Sequence, residues 1–458
     1  MESVQEVFTS SNSTMATPVV HHILSGSFRS LSLFLLAFSP LHRTLSLVQK
    51  VDAFGPHQYL ATNPRKDRVY TTSWTLPPVL SSWEVERPDA GRWSLKHLNN
   101  VPITATSSYI SIPPPFTHAY SAGGPTGEVH FIDPETGGFG EKLQQILFVP
   151  EDELEKADKT RVALSHFASP FPSMPEPRLR SQRSCAISAQ PRIPGFLMST
   201  ELSLFALSCS RYGSHAVEFS SATGHGFIPV LGTDTIEMYT RDPSSGLLTH
   251  IASIPSPRGA GAHDGPRHLK IHPNGKILYC VTEHTNLVDA YAITSTSLTY
   301  LASRSLLPSS IDPAHVPRFR GDTLILAPST PEHPAPRTLF ATTRGAKSSD
   351  KGWLSAFSLD PDGTFAEGAG EHFETPTSGG KANALDVLPK GDQAGQGVWI
   401  LLTDDDDAAA GDGGGGVRVL EWDGVGKGVR VVAGWPAPGE NGREGVRMEG
   451  GSHAVWLD

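Results

Sequence analysis

Cysteine is scarce in this chain: the 458 residues include only Cys185, Cys209 and Cys280. Their spacing matches neither a Cys-x-x-Cys pair nor another metal-ligand pattern, so the sequence indicates neither a disulfide framework nor a zinc site. A chain that uses cysteine so sparingly is typical of a reducing compartment. We therefore predict a cytoplasmic protein.

Positive charge is also in short supply. Lysine and arginine number 37 against 47 aspartates and glutamates, which gives a formal net charge of -10. No basic cluster stands out that could neutralise phosphates, so the composition argues against a nucleic-acid partner. A mildly acidic protein can still bind an anion through a few focused arginines.

Long apolar runs are missing as well. The longest one near the start, residues 31–38, is far shorter than the roughly 18 residues that span a bilayer. It also lacks the basic flank and the small-residue cleavage site of a signal peptide. We predict a buried strand there and no membrane partner.

Helical periodicity is hard to find, whereas turn residues abound, with 44 glycines and 38 prolines. The clearest local unit is residues 265–283, where an alternating strand, a His-Pro-Asn-Gly turn and a second β-rich run follow one another. A hairpin brings the start of its first strand beside the end of its second. The pattern therefore predicts that Arg267 and Glu283 lie close together.

Weaker copies of this unit recur along the chain, opening near residues 20, 55, 118, 213, 265, 321 and 382. Units of about 50 residues with four strands are typical of a β-propeller, and the count gives about seven blades. Residues 451–458 repeat the Gly-Ser-His-Ala-Val of 213–217, so a unit-opening strand stands at the C-terminus. We predict an all-β, seven-bladed propeller of four-stranded antiparallel blades, its ring closed by pairing of C-terminal and N-terminal strands.

Two stretches do not fit the repeat. Residues 1–19 are polar and without periodicity, which predicts a disordered lead before a single propeller domain at 20–458; Met15 is a candidate physiological start. Residues 165–210 are rich in serine, proline and arginine and match no unit. They are either a long surface loop, which is uncommon in compact domains, or a translated intron in a gene model.

Propeller geometry predicts where the chemistry lies. The first strand of each blade lines the central channel, and the starts of first strands meet the ends of second strands at one mouth. His215, Arg267 and Lys381 stand at starts of first strands, and Glu283 and Arg344 stand at ends of second strands. Arginine donors suit carboxylates or phosphates, and one histidine with one glutamate suffices for acid–base chemistry. The alternative interpretation is a rim of solvated or structurally paired residues.

No motif for a cofactor or metal accompanies these residues. The chain has no P-loop, Rossmann glycine pattern, nucleophile elbow or His-Glu-x-x-His. Four histidines do cluster along the sequence, namely His263, His268, His272 and His284. Alternation along strands sends their side chains in different directions, so we predict neither a metal site nor a cofactor.

Residues 265–276 together with Glu283 resemble the lactonase-type seven-bladed propellers, which include 6-phosphogluconolactonases and fungal carboxy-cis,cis-muconate cyclases. The fungal cyclases are the more similar group. That similarity includes the Gly-Ser-His unit of His215, the Phe-Ala-Thr-Thr-Arg run that ends at Arg344, and residues 375–380. It extends from about residue 20 to the C-terminus, apart from the 165–210 segment. One departure is Lys381, where the family pattern has a histidine.

The resemblance implies a cofactor-free and metal-free isomerase, an intramolecular lyase of aromatic catabolism in the protocatechuate (β-ketoadipate) branch. Its reaction would close 3-carboxy-cis,cis-muconate to a carboxymuconolactone. The implied site residues are His215, Arg267, Glu283 and Arg344, which are four of the five that the propeller geometry selects. On this interpretation Arg267, Arg344 and Lys381 bind carboxylates of a small tricarboxylate substrate, and His215, in preference to Glu283, delivers the proton.

Two other functions stay open at this point. A lactonase that hydrolyses 6-phosphogluconolactone or a similar sugar lactone needs the same anion clamp but activates a water molecule. A non-enzymatic propeller would serve as an interaction platform, although the Trp-Asp dipeptides that favour this use do not recur regularly here. The sequence also leaves open whether the protein is a monomer or a homo-oligomer.

Overall fold

The computed structural model describes residues 19–75, 77–88, 92–154, 213–330, 334–368, 370–391, 397–405, 415–437 and 448–458. These residues form 28 strands in seven four-stranded antiparallel sheets. The helices among them are two short 3₁₀ segments, Glu151–Glu153 and Pro313–Arg318. Within this part of the chain no helix has the length and apolar character to cross a bilayer.

The sheets are the blades of a ring, numbered here in chain order. Blade 1 contains β1 His21–Ser27, β2 Ser32–Ser39 and β3 Thr44–Asp52, together with the last strand of the chain. Blade 2 consists of β4 His57–Thr62, β5 Arg68–Ser73, β6 Val79–Glu86 and β7 Ser94–Pro102. Blade 3 consists of β8 Tyr109–Ser111, β9 His118–Gly123, β10 Thr126–Ile132 and β11 Phe139–Leu147, and blade 4 of β12 Glu218–Phe219, β13 His225–Val230, β14 Thr235–Arg241 and β15 Leu248–Pro255.

Blades 5 to 7 follow the same plan. Blade 5 consists of β16 Pro266–Ile271, β17 Ile277–Thr282, β18 Leu287–Ile293 and β19 Leu298–Ser305, and blade 6 of β20 Phe319–Leu326, β21 Thr338–Gly345, β22 Trp353–Ser358 and β23 Glu371–Glu374. Blade 7 consists of β24 Leu385–Pro389, β25 Val398–Asp404, β26 Gly416–Trp422 and β27 Val429–Trp435. The last strand of the chain is β28 Gly451–Trp456.

The last strand closes the ring. β28 is the innermost strand of blade 1 and pairs antiparallel with β1, so that Leu24 lies opposite Val455 and Ile23 opposite Trp456. This pairing covers an edge that β1 would otherwise expose. The all-β, seven-bladed architecture and its closure by the two ends of the propeller are therefore confirmed.

Burial explains why the strands differ in pattern. Every residue of β17 and of β25 is buried, because these second strands are covered on both faces by neighbouring blades. Outer strands such as β27 alternate less strictly and carry exposed residues. The core consists of apolar clusters between blades; in one of them, Tyr279 and Leu324 join blades 5 and 6.

Two strands of the ring were missing from the sequence prediction, β8 and the four-residue outer strand β23 of blade 6. β8 provides the innermost strand of blade 3, but its three residues are too short to display alternation. The predicted N-terminal lead, apart from the exposed Val19, and the atypical 165–210 segment lie outside the described residues.

Register shifts bend several first strands where they face the channel. β4, β16 and β20 each show one in their pairing with the second strand, and such bulges re-aim side chains. In three blades a threonine of the second strand accepts a backbone N–H group from the first strand or from the residue just before it. The bonds are Tyr59 N to Thr72 Oγ1 (3.0 Å), Thr323 N to Thr342 Oγ1 (3.3 Å) and Ala384 N to Thr403 Oγ1 (3.1 Å).

Candidate active site

A small cavity of about 30 Å³ lies on the ring axis. All seven blades contribute to it, through first strands or the loops that precede or follow them. The lining residues are Phe28, Gln58, Tyr59, Ser108, His215, Arg267, His268, Asp322, Thr323, Lys381, Ala382, Ala384, Ser452 and His453. Polar and aromatic side chains therefore converge where the sequence predicts the site.

Three of the five predicted residues line this cavity. His215 lies just before β12 and is half-buried, whereas Arg267 is the second residue of β16 and is buried. Lys381 lies in the loop before β24, and its ammonium group stands over the ring of Phe28, 5.8 Å from the centroid. Lys381 is exposed, so its charge stays accessible to a ligand.

The other two predicted residues stand next to Arg267. Glu283 directly follows β17, and its Oε2 accepts from Arg267 Nε at 3.0 Å. Arg344, near the end of β21, donates from Nη2 to the other oxygen of Glu283 at 2.9 Å. The predicted proximity of Arg267 and Glu283 is confirmed. Neither Glu283 nor Arg344 belongs to the cavity lining.

A fourth member, Asp322, was missed by sequence reasoning. It is 1% exposed, and its Oδ1 lies 2.8 Å from Arg267 Nη2 and 3.5 Å from Arg344 Nε. Its carbonyl oxygen accepts a further hydrogen bond from Arg267 Nη1 at 2.8 Å. Its position was the available signal, because Asp322 lies in the first half of a first strand, as Arg267 does.

The four charged groups form what we call the arginine–carboxylate cluster: Arg267, Arg344, Glu283 and Asp322. Its formal charges cancel, so the two arginines are not an empty anion clamp. Burial lowers the pKa of Arg344, but the negative charges of Glu283 and Asp322 outweigh that effect and raise it above its ordinary value. Charge-assisted hydrogen bonds from two guanidinium groups stabilise an ionised Glu283, which makes this carboxylate a poor source of protons.

Four aromatic rings follow one another beside the cluster, and we call them the ring row: His453, Tyr59, Tyr109 and His268. Successive centroids are separated by 4.0, 4.1 and 5.2 Å. Beyond the row, the ammonium of Lys270 donates to the Tyr109 hydroxyl at 2.7 Å and to Glu218 at 2.5 Å. Burial raises the pKa of the Tyr59 and Tyr109 hydroxyls well above the usual range.

Sequence reasoning did not select the two histidines of the ring row. A signal for His453 was present, because the repeat of Gly-Ser-His-Ala-Val gives it the position that His215 has in blade 4. His268 was considered only with its sequence neighbours as a metal ligand. Those neighbours separate, since His272 packs against Gly363 while His268 lines the cavity. Across the described residues no group of three His, Cys, Asp or Glu side chains is placed to hold a metal.

Known proteins resemble this chain in sequence and in fold. Residues 210–365 match the family described as "Lactonase, 7-bladed beta-propeller". The chain is 29% identical over 392 residues to "Muconate cycloisomerase 1" of Cutaneotrichosporon cutaneum, covering 84% of this chain and 88% of that protein. It is 29% identical over 174 residues to "Carboxy-cis,cis-muconate cyclase" of Neurospora crassa, covering 36% and 43%. The periplasmic gluconolactonase of Pseudomonas aeruginosa shares the fold, with a TM-score of 0.64 and 15% identity over 96% of this chain and 99% of that one.

Proposed function

From the premise that the chain is a lactonase-type seven-bladed propeller, we propose that it closes 3-carboxy-cis,cis-muconate to a carboxymuconolactone. A lactone-related enzyme activity is what the family similarity supports, and the muconate relatives point to this reaction within it. The observation that carries the proposal is the axial cavity in which His215, Arg267 and Lys381 converge. A cytoplasmic location and a small tricarboxylate partner belong to the same proposal.

The cavity offers two kinds of cation for a tricarboxylate. Lys381 has no ion pair within the described part of the chain, so its ammonium group is available to a substrate carboxylate. Arg267 directs three N–H groups to Glu283 and Asp322, and the other two of its five donors remain for substrate. Arg344 does not line the cavity and contributes through its hydrogen bond to Glu283.

The reaction conserves every atom of the substrate. A carboxylate oxygen forms a bond to a carbon of the diene, and the π electrons move onto the conjugated carboxylate as an enediolate. A proton delivered to the adjacent carbon then completes the lactone. We assign that proton to His215, because imidazole titrates near neutral pH whereas Glu283 is held by two guanidinium groups.

The test is the loss of diene absorbance when purified protein is mixed with 3-carboxy-cis,cis-muconate. We expect turnover by the wild type and a loss of about 10²- to 10⁴-fold in kcat for His215→Gln, the usual contribution of a positioned acid. His225→Gln is the matched control, because His225 is a buried histidine of the same blade that does not line the cavity.

Three outcomes would contradict the proposal. Equal rates in both variants would exclude His215 as the acid. An inert muconate together with rapid hydrolysis of 6-phosphogluconolactone would assign the protein to lactone hydrolysis instead. Absence of both activities in folded protein would favour an interaction platform.

A further inference from the structure

Two histidines of the ring row carry their proton on Nε2. The backbone N–H of Leu324 donates to His268 Nδ1 at 3.0 Å, and that of Leu60 donates to His453 Nδ1 at 3.4 Å. A backbone amide can only donate, so Nδ1 of each ring is the unprotonated acceptor. A neutral imidazole with an acceptor at Nδ1 has its N–H at Nε2.

Both contacts are built in the same way. His268 lies on β16 and accepts from β20 of the next blade, while His453 lies on β28 and accepts from β4 of the next blade. In β20 and in β4 the donating residue follows a register shift. A bulge takes a residue out of the regular ladder, which frees the amide for the histidine. The backbone of the ring therefore sets both tautomers.

These side chains are buried, with 3% of His268 and 6% of His453 exposed. The Nε2 atom of His268 is buried and has no hydrogen-bond partner among the described residues. Burying an N–H group without an acceptor costs free energy. We therefore expect a ligand to supply the oxygen atom that accepts from His268 Nε2. His453 lines the same cavity, and its ring stacks on Tyr59 at 26°.

Neither ring is a source of protons. Burial, followed by the charge of Lys270, lowers the pKa of His453 to about 3. Burial lowers the pKa of His268 well below its ordinary value, and Lys270 and Arg267 add to that effect. Both imidazoles therefore stay neutral near pH 7 and offer uncharged donors.

We propose that the Nε2–H of His268 donates to the substrate carboxylate that gains negative charge when the ring closes, and that the Nε2–H of His453, which lines the same cavity, donates to the same ligand. This inference rests on the proposed cyclisation. The charges of Arg267 and Arg344 are already balanced by Glu283 and Asp322. Fixed donors aimed at developing charge stabilise a transition state in a water-poor site.

Two substitutions of His268 separate the effect of its Nε2–H donor from that of its Nδ1 acceptor. In His268→Asn the amide oxygen replaces Nδ1 as acceptor for Leu324, but the Nε2–H is lost. In His268→Gln the amide N–H stands near the position of Nε2. We expect kcat to fall about 10²-fold or more in His268→Asn, as for other oxyanion donors, with a substantial part restored in His268→Gln.

The matched control is His130→Asn. His130 is as buried as His268, and burial lowers its pKa to about 4, but it lies on β10 outside the cavity. We expect its kcat to equal that of the wild type. A His268→Asn variant as active as this control would overturn the inference while leaving the proposed cyclisation intact.

Nitrogen-15 NMR of histidine-labelled wild-type protein tests the donors without turnover. We expect an unprotonated Nδ1 and a protonated Nε2 for both rings, and a shift of both Nε2–H signals when propane-1,2,3-tricarboxylate is added. A proton on Nδ1, or binding of this probe without any Nε2–H response, would overturn the inference. If the muconate proves inert, the proposed function fails, and this titration still decides whether the two histidines bind a carboxylate.

Discussion

Asp322 connects the two arginines of the candidate site to the backbone around them. Its Oδ1 faces both guanidinium groups, and its Oδ2 accepts from the backbone N–H of Asn383 at 2.6 Å. A buried charge cluster is most sensitive to the loss of one partner, because the remaining charges stay desolvated. Asp322 is thus a positioning residue for Arg267 and Arg344.

Replacing Asp322 by asparagine keeps the shape of the side chain but leaves two arginines against one carboxylate. We expect the free energy of unfolding in urea to fall by about 3 kcal/mol. The control is Glu374→Gln, which breaks the half-exposed Lys351–Glu374 pair at 2.9 Å and should change stability by less than about 0.5 kcal/mol. Equal losses in the two variants would show that the cluster contributes no more than a surface pair.

Threonines on second strands support the first strands at the channel. Thr342 on β21 is fully buried; its Oγ1 lies 3.3 Å from the N–H of Thr323 and donates to the carbonyl oxygen of Asn383 at 2.6 Å. The same residue therefore joins blade 6 to the segment that opens blade 7. This bond fixes the stretch whose N–H reaches Asp322.

We expect Thr342→Val to lower the free energy of unfolding by about 2 kcal/mol, because the valine fills the space but leaves buried backbone groups unpaired. Chemical denaturation measures the effect. Thr249→Val, on the exposed part of β15, should stay within about 0.5 kcal/mol of the wild type. A neutral Thr342→Val variant would mean that water or a shifted backbone replaces the hydroxyl.

The ring as a whole depends on β28. This strand pairs with β1 and contributes Ser452 and His453 to the cavity, while Trp456 is buried in the cluster between blades 1 and 7. The pairing that closes the ring therefore also places two residues of the cavity lining. An open ring would expose an unpaired edge of β1.

Deleting residues 451–458 should abolish the single cooperative unfolding transition followed by circular dichroism. A synthetic peptide of the same sequence, Gly-Ser-His-Ala-Val-Trp-Leu-Asp, should restore it by pairing with β1 in trans. A peptide with alanine at the position of Trp456 is the control and should rescue poorly, because it lacks the largest buried side chain of the strand. Cooperative unfolding of the truncated chain without peptide would contradict this account.

Local pattern was sufficient for the architecture and for part of the site. Alternation and turn residues predict the hairpin that joins Arg267 to Glu283, and repetition of that unit predicts seven blades. The second Gly-Ser-His segment predicts ring closure. These features can be predicted from the sequence because each depends on neighbouring residues or on a periodic repeat.

Contacts between blades were decided only by the tertiary structure. Asp322 of blade 6 meets Arg267 of blade 5, and the tautomers of His268 and His453 depend on amides of adjacent blades. The sequence by itself determined a closed ring of repeated hairpins with charged residues at its mouth. Which charges cancel, and which donors stay unpaired, follows from register shifts and packing that bring distant segments together, and no local pattern encodes those.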